Sequence, residues 1–111
     1  MFKLFSREPQ GYANLSPADV KARLVADAHV QLIDVRSPGE FSQGHIPKAK
    51  LIPLNDLPRR HQELKKSGDI ILYCLSAARS KRGALLLVEL GYENVYNMEG
   101  GISRWPFDVK Q

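Results

Sequence analysis

The chain holds one thiol, Cys74, at the end of its most strand-like stretch, Asp69-Ile70-Ile71-Leu72-Tyr73-Cys74, and Leu75-Ser76-Ala77-Ala78-Arg79-Ser80 follows it. This order of residue types suits an anion held on sulfur. Four small or modest residues after a strand allow a tight turn, and Arg79 and Ser80 are placed to open the next helix. Loop amides, the positive end of that helix and a guanidinium then converge on one atom. All three favour thiolate over thiol, and the thiolate is the nucleophile. Lys81 and Arg82 add positive potential nearby, although their side chains are free to face solvent. The plain alternative makes Cys74 a small buried hydrophobe and Arg79 a surface charge; the spacing favours the chemical reading.

The remaining polar residues narrow the chemistry. A single cysteine forms no internal disulfide, and with His29, His45 and His61 scattered along the chain it lacks the paired spacing of a zinc site. No metal and no cofactor is expected. The formal net charge is +4, and the excess is local: residues 48–82 carry nine Lys/Arg against three Asp/Glu, whereas residues 1–47 balance at five each. No basic stripe is interleaved with aromatics, which argues against nucleic acid. A small anion or an acidic protein surface suits the patch better.

With 111 residues there is room for one domain and one core. Residues 1–14 read as an N-terminal arm and residues 15–111 as the folded domain. The stretch Met1 to Gln10 is interrupted by Arg7, Glu8 and Pro9 and has no small-residue cleavage site, so it does not read as a signal peptide. The longest apolar run, Ala84 to Val88, is far short of the roughly 20 residues of a membrane-spanning helix. A cytoplasmic protein with no membrane partner is therefore expected.

The elements that must position Cys74 follow from local signals. Ser16 and Pro17 mark a helix start that should run to about Asp27, with Val20, Leu24 and Val25 on its apolar face. Val30 to Val35 is a β-prone run ended by Ser37-Pro38-Gly39, and Ser37 to Gln43 is expected to hold a short helical turn. Lys50 to Pro53 reads as a brief strand and Asp56 to Lys65 as a weaker helix. Ser80 to Leu90 is helical, with Gly83, Leu86, Leu87 and Leu90 on one stripe and Gly91 as the stop. Asn94 to Met98 makes a last strand, and Gly100-Gly101 leads into a short helix holding Trp105. Alternating strands and helices predict an α/β fold with a parallel sheet covered on both faces. In such sheets the site lies beyond the carboxyl ends of the strands, where Cys74 falls.

Cys74 to Ser80 resembles the active-site loop of rhodanese-like domains, whose usual form is Cys-x-x-Gly-x-Arg-Ser. Leu32 to Phe41, Gly44-His45-Ile46-Pro47, Gly91-Tyr92, Gly100-Gly101-Ile102 and Trp105 are similar to the family's other signatures in order and spacing. The resemblance implies a rhodanese-like fold with a central five-stranded parallel sheet flanked by helices on both faces, and a cysteine that carries sulfane sulfur as a persulfide. It assigns Cys74 as the catalytic nucleophile and the backbone of Leu75, Ser76, Ala77, Ala78, Arg79 and Ser80 as the substrate cradle. Arg79 either binds an anionic donor or braces the loop. Asp34, Arg36 and Glu40 read mainly as scaffold, His45 as a structural hydrogen bond rather than a base, and Trp105 and Tyr73 as core. Two departures stand out. Ala77 occupies the loop glycine's place, which is strained if that position needs a positive φ, and Lys48 stands where the family has glycine.

The expected function is a rhodanese-type sulfurtransferase that moves sulfane sulfur from thiosulfate or a persulfide donor to cyanide or a thiol through Cys74. The partners are then a small anionic sulfur donor such as thiosulfate and a protein sulfur donor or acceptor. A phosphatase or arsenate reductase loop resembles Cys-x5-Arg, one residue longer than the spacing from Cys74 to Arg79, and the shorter loop suits sulfur better than a tetrahedral oxyanion. A third reading is a sulfur-carrier or sensing module with little turnover of small donors, its specificity residing in a protein contact.

Overall fold

The computed structural model describes residues 11–111; the rest of the N-terminal arm expected over 1–14 lies outside the described residues. Five parallel strands, β1 (Ala13–Leu15), β2 (Gln31–Asp34), β3 (Lys50–Leu51), β4 (Ile70–Tyr73) and β5 (Val95–Met98), form one sheet in the order β1-β5-β4-β2-β3. The helices are α1 (Pro17–Ala26), α2 (Pro38–Gln43), α3 (Leu57–Arg60) and α4 (Ala78–Glu89). The α/β fold expected from the alternation is present, with a core on each face. Successive side chains of a strand point to opposite sides. In β4, Ile70 and Leu72 accordingly join α3 and α4 on one face, while Ile71 and Tyr73 join α1 and Trp105 on the other. All four residues are buried, as befits a central strand covered on both sides.

Local chemistry explains most boundaries. Ser16 caps α1 by accepting from the Asp19 amide, with Pro17 in the first turn. Ser37 and Glu40 close a reciprocal capping box on α2. At the end of α4, Gly91 sits at φ +97°, its amide donates to Val88 and that of Tyr92 to Leu87, closing a Schellman motif. Gly83 lets α4 lie close on the sheet, since a Cβ there would stand 3.0 Å from Leu72 and 3.3 Å from Leu57.

Several expectations are corrected. Val25 is 74% exposed rather than part of the apolar face of α1, because five residues from Val20 carry it well round the helix. Leu90, the residue that caps the end of α4, is likewise exposed. The helix expected over Asp56 to Lys65 is broken into a 3₁₀ turn (Leu54–Asp56), α3 and a second 3₁₀ turn (His61–Glu63). Leu57 and Leu64 are its buried anchors, and the charged and polar residues between them leave no apolar stripe to hold a continuous helix. The edge strand β1 carried no sequence signal, being three residues long with Asn14 at its centre. It spans the boundary drawn between residues 14 and 15, and Tyr12 and Ala13 are buried in the core.

Candidate functional site

The backbone leaves the sheet directly after Tyr73, and Cys74 is the first residue beyond β4. Ala77 adopts φ +112° and ψ −20°, and this left-handed turn reverses the chain into α4, which begins at Ala78, ahead of the start expected at Arg79 and Ser80. The turn directs amides inward. The Ala77 N–H donates to the Cys74 Sγ at 3.1 Å and the Ser80 N–H at 3.4 Å, with the Ser80 Oγ also 3.4 Å from the sulfur. Burial pushes the thiol up, but hydrogen bonds from the Ser80 hydroxyl and from the amides of Ser80, Ala77 and Ser76 outweigh it and leave Cys74 below its ordinary value.

The carbonyls of the same loop are drawn away from the sulfur. The Ile102 amide donates to the Cys74 carbonyl at 2.8 Å and the Ser103 amide to the Leu75 carbonyl at 3.1 Å. Gly101 makes this approach possible. It stands at φ +64°, and a Cβ there would overlap the Leu75 carbonyl and come within 2.6 Å of the Ser76 nitrogen. Amides therefore face the sulfur while carbonyls face the 3₁₀ turn Ile102–Arg104 behind it.

Arg79 braces the loop in this structure. Its guanidinium meets the Glu40 carboxylate with Nη1–Oε1 at 2.7 Å and Nη2–Oε2 at 2.9 Å, tying α4 to α2. The Arg79 hydrogen bonds and the Ser37 amide hold the Glu40 carboxyl down at about 2. Asp34 and Arg36 form a second two-pronged pair, almost fully buried, and Arg36 also donates to the Gly44 carbonyl at 2.7 Å. This scaffold fixes the β2–α2 connection. His45 stacks on Phe41 and bonds the Phe41 carbonyl through Nδ1 at 2.9 Å, a structural role as expected. The Tyr73 hydroxyl accepts from the Ile46 amide and the Trp105 indole donates to the Asp108 carbonyl, both from the core.

Leu75, Ser76 and Ala78 are exposed on the rim, as are Lys81 and Arg82, while Cys74 and Ser80 are buried. Two clefts of about 500 Å³ flank the loop: one borders Arg79, Arg82 and Asn55, the other Ser76, Glu99 and Arg104. Asn97 and Asn14 lie outside the residues that sequence reasoning singles out. Asn97 is fully buried in β5, its Oδ1 accepts from the Ser80 hydroxyl at 2.6 Å, and its Nδ2 donates to the Asn14 Oδ1 at 3.0 Å. An amide amid the apolar residues of a central strand was the available signal. Among the described residues no group of three or more His, Cys, Asp and Glu could hold a metal ion, and no helix is long and apolar enough to cross a membrane.

The cradle suits an anionic Cys74 sulfur, with amide donors already aimed at it. The family model of the rhodanese-like domain matches residues 16–106. A protein of Allochromatium vinosum named sulfurtransferase is 41% identical over 83 residues, which are 75% of this chain and 78% of that one. The thiosulfate sulfurtransferase GlpE of Pseudoalteromonas translucida is 33% identical over 68% of this chain and 72% of its own length. The crystal structure of a rhodanese-related protein from Thermoplasma volcanium superposes with a TM-score of 0.80 at 26% identity, covering 87% of this chain and 96% of that one.

Proposed function

The chain belongs to the rhodanese-like domain family, and we propose that within it Cys74 is the sulfur-accepting nucleophile of a thiosulfate-using sulfurtransferase. The observation that carries this reading is the convergence of the Ala77 and Ser80 amides on one sulfur whose surrounding carbonyls are tied back. Donors fixed in place before reaction stabilise charge on sulfur without reorganisation. The named relatives support the reading, since one of them is a thiosulfate sulfurtransferase.

In the first step the Cys74 thiolate attacks the outer sulfur of thiosulfate. An Sγ–S bond forms, the S–S bond of thiosulfate breaks, and sulfite leaves with the electron pair, so that a negative persulfide remains on Cys74. In the second step cyanide attacks the outer persulfide sulfur, thiocyanate leaves and the thiolate returns; a thiolate acceptor takes the sulfur in the same way and becomes the persulfide. The cradle of Leu75 to Ser80 holds the charge throughout, and the exposed Lys81 and Arg82 attract the anionic donor. A protein sulfur donor or acceptor would meet the same rim, in the reducing cytoplasm that an unpaired reactive thiol suits.

Intact mass after incubation of the reduced protein with thiosulfate tests the proposal, with Cys74→Ser as the control. One added sulfur, released by cyanide as thiocyanate and absent from the control, is the expected result. A folded, reduced protein that gains no sulfur overturns thiosulfate as donor and favours a carrier loaded by a partner protein. Cysteine-dependent turnover of an aryl phosphate would instead favour oxyanion chemistry.

A further inference from the structure

The Ser80 hydroxyl carries one proton, and three acceptors lie within its reach: the Asn97 Oδ1 at 2.6 Å, the Ala77 carbonyl at 3.1 Å and the Cys74 sulfur at 3.4 Å. The shortest contact is the one to Asn97. With the proton there, the neutral site forms a chain of donors running one way: the Cys74 S–H to Ser80 Oγ, Ser80 O–H to Asn97 Oδ1, and Asn97 Nδ2–H to Asn14 Oδ1. Once the sulfur is a thiolate it can only accept, so the Ser80 hydroxyl can bond it only by turning its proton away from Asn97. The amide is buried and reaches the sulfur only through Ser80.

We propose that Asn97 is a positioning residue that competes with Cys74 for the single proton of the Ser80 hydroxyl, and so sets how readily the sulfur gives up its own. Holding the proton on Asn97 favours the thiol; releasing it completes the thiolate cradle. Of the charged groups near this point, Lys81 and Arg82 are exposed on the rim and the others are paired. Arg79 on α4 pairs with Glu40 on α2, and Asp34 at the end of β2 pairs with Arg36. Tyr73, beside Cys74 in sequence, stays protonated because burial and its neighbour Asp34 hold its hydroxyl far above the ordinary range. From β5 and β1 the groups in the chain are the neutral amides of Asn97 and Asn14, so the direction of their hydrogen bonds is what these strands contribute.

The proposal rests on Cys74 being the reactive sulfur, and its test needs no sulfur transfer. The rate of Cys74 alkylation by iodoacetamide is followed against pH in the wild type, Asn97→Leu, Ser80→Ala and the double variant. Asn97→Leu keeps the shape of the side chain and removes the acceptor, so its alkylation midpoint should fall by about one pH unit, a tenfold gain in thiolate below the midpoint. Ser80→Ala should raise the midpoint, and adding Asn97→Leu to it should change nothing. An unshifted midpoint in a folded Asn97→Leu protein, or the same fall when Ser80 is alanine, overturns the proposal. In the wild type, the Asn97 side-chain amide resonances should move with the Cys74 midpoint, and fixed resonances overturn it without any variant. A wild type that passes these tests yet takes no sulfur from thiosulfate refutes the proposed function and leaves the role of Asn97 standing.

Discussion

Arg79 and Glu40, thirty-nine residues apart, meet through two parallel hydrogen bonds of 2.7 and 2.9 Å that fasten the first turn of α4 to the first turn of α2. The positive charge of the cysteine loop's guanidinium is thereby countered by a carboxylate. Glu40→Gln removes that charge, and the half-saturating thiosulfate concentration should fall about threefold, the size expected of a partly exposed ion pair worth under 1 kcal/mol. Arg79→Ala should raise it. Initial rates of thiocyanate formation check both, and an unchanged KM in both variants would show that the pair acts on the fold alone.

Acid should weaken the same contact in a defined window. The Glu40 carboxyl titrates near 2 in the fold against an ordinary 4.5, because Arg79 and the Ser37 amide bond its charged form. A depressed carboxyl contributes stability that is fully present above its unfolded value and is lost as pH falls through the folded one. Wild-type stability should therefore decline between about pH 4.5 and 2 more steeply than that of Glu40→Gln. Denaturant unfolding at several pH values in this range measures the difference in slope.

Two non-glycine residues stand in the left-handed region, Ala77 at φ +112° and Lys48 at φ +77°. Each L side chain there costs about 1 kcal/mol. Ala77→Gly and Lys48→Gly should each raise Tm by about 4 °C, the scale for about 1 kcal/mol in a domain of this size, less whatever the more flexible unfolded chain takes back. The two sites lie in separate turns, so the gains should add. Thermal melts of the single and double variants check this, and sulfur loading of Ala77→Gly shows whether the relaxed loop still cradles the sulfur.

Gly101→Ala should act in the opposite sense. Its methyl group would overlap the Leu75 carbonyl and crowd the Ser76 amide, backbone atoms that cannot rotate aside. The loop must move or the Ile102 and Ser103 bonds to it must break, so a loss of about 3 kcal/mol is expected together with loss of sulfur loading. Loading at the wild-type level in this variant would show that the rear of the loop does not govern the front.

The sequence made the path to the cysteine legible where local chemistry is strong. Ser16-Pro17, Ser37-Pro38 and Gly91 fix helix ends through side-chain caps and backbone angles that no tertiary contact needs to supply. The run Asp69 to Cys74 is the most strand-like in the chain and suits a strand covered on both faces, which sets Cys74 at its end. The parts that were not legible are those settled by distant partners. β1 is a strand because β5 lies beside it, the choice for Arg79 between donor and brace depends on Glu40, and Asn97 takes its meaning from Ser80 and Asn14. Lys48 and Ala77 were visible as departures from glycine, but the angles they hold are fixed by the fold around them.

The hydrogen bond from Asn97 to Asn14 joins residues 83 positions apart, and among the described residues β1, the first strand in chain order, pairs with β5, the last. A ribosome therefore releases the thiol well before its surroundings can exist. Until residues 95–103 have emerged, Cys74 has neither the Ser80–Asn97 contact nor the Ile102 and Ser103 amides behind its loop. The full set of partners around the sulfur and its loop is complete only when β5 and the 3₁₀ turn Ile102–Arg104 have joined β4 and α4.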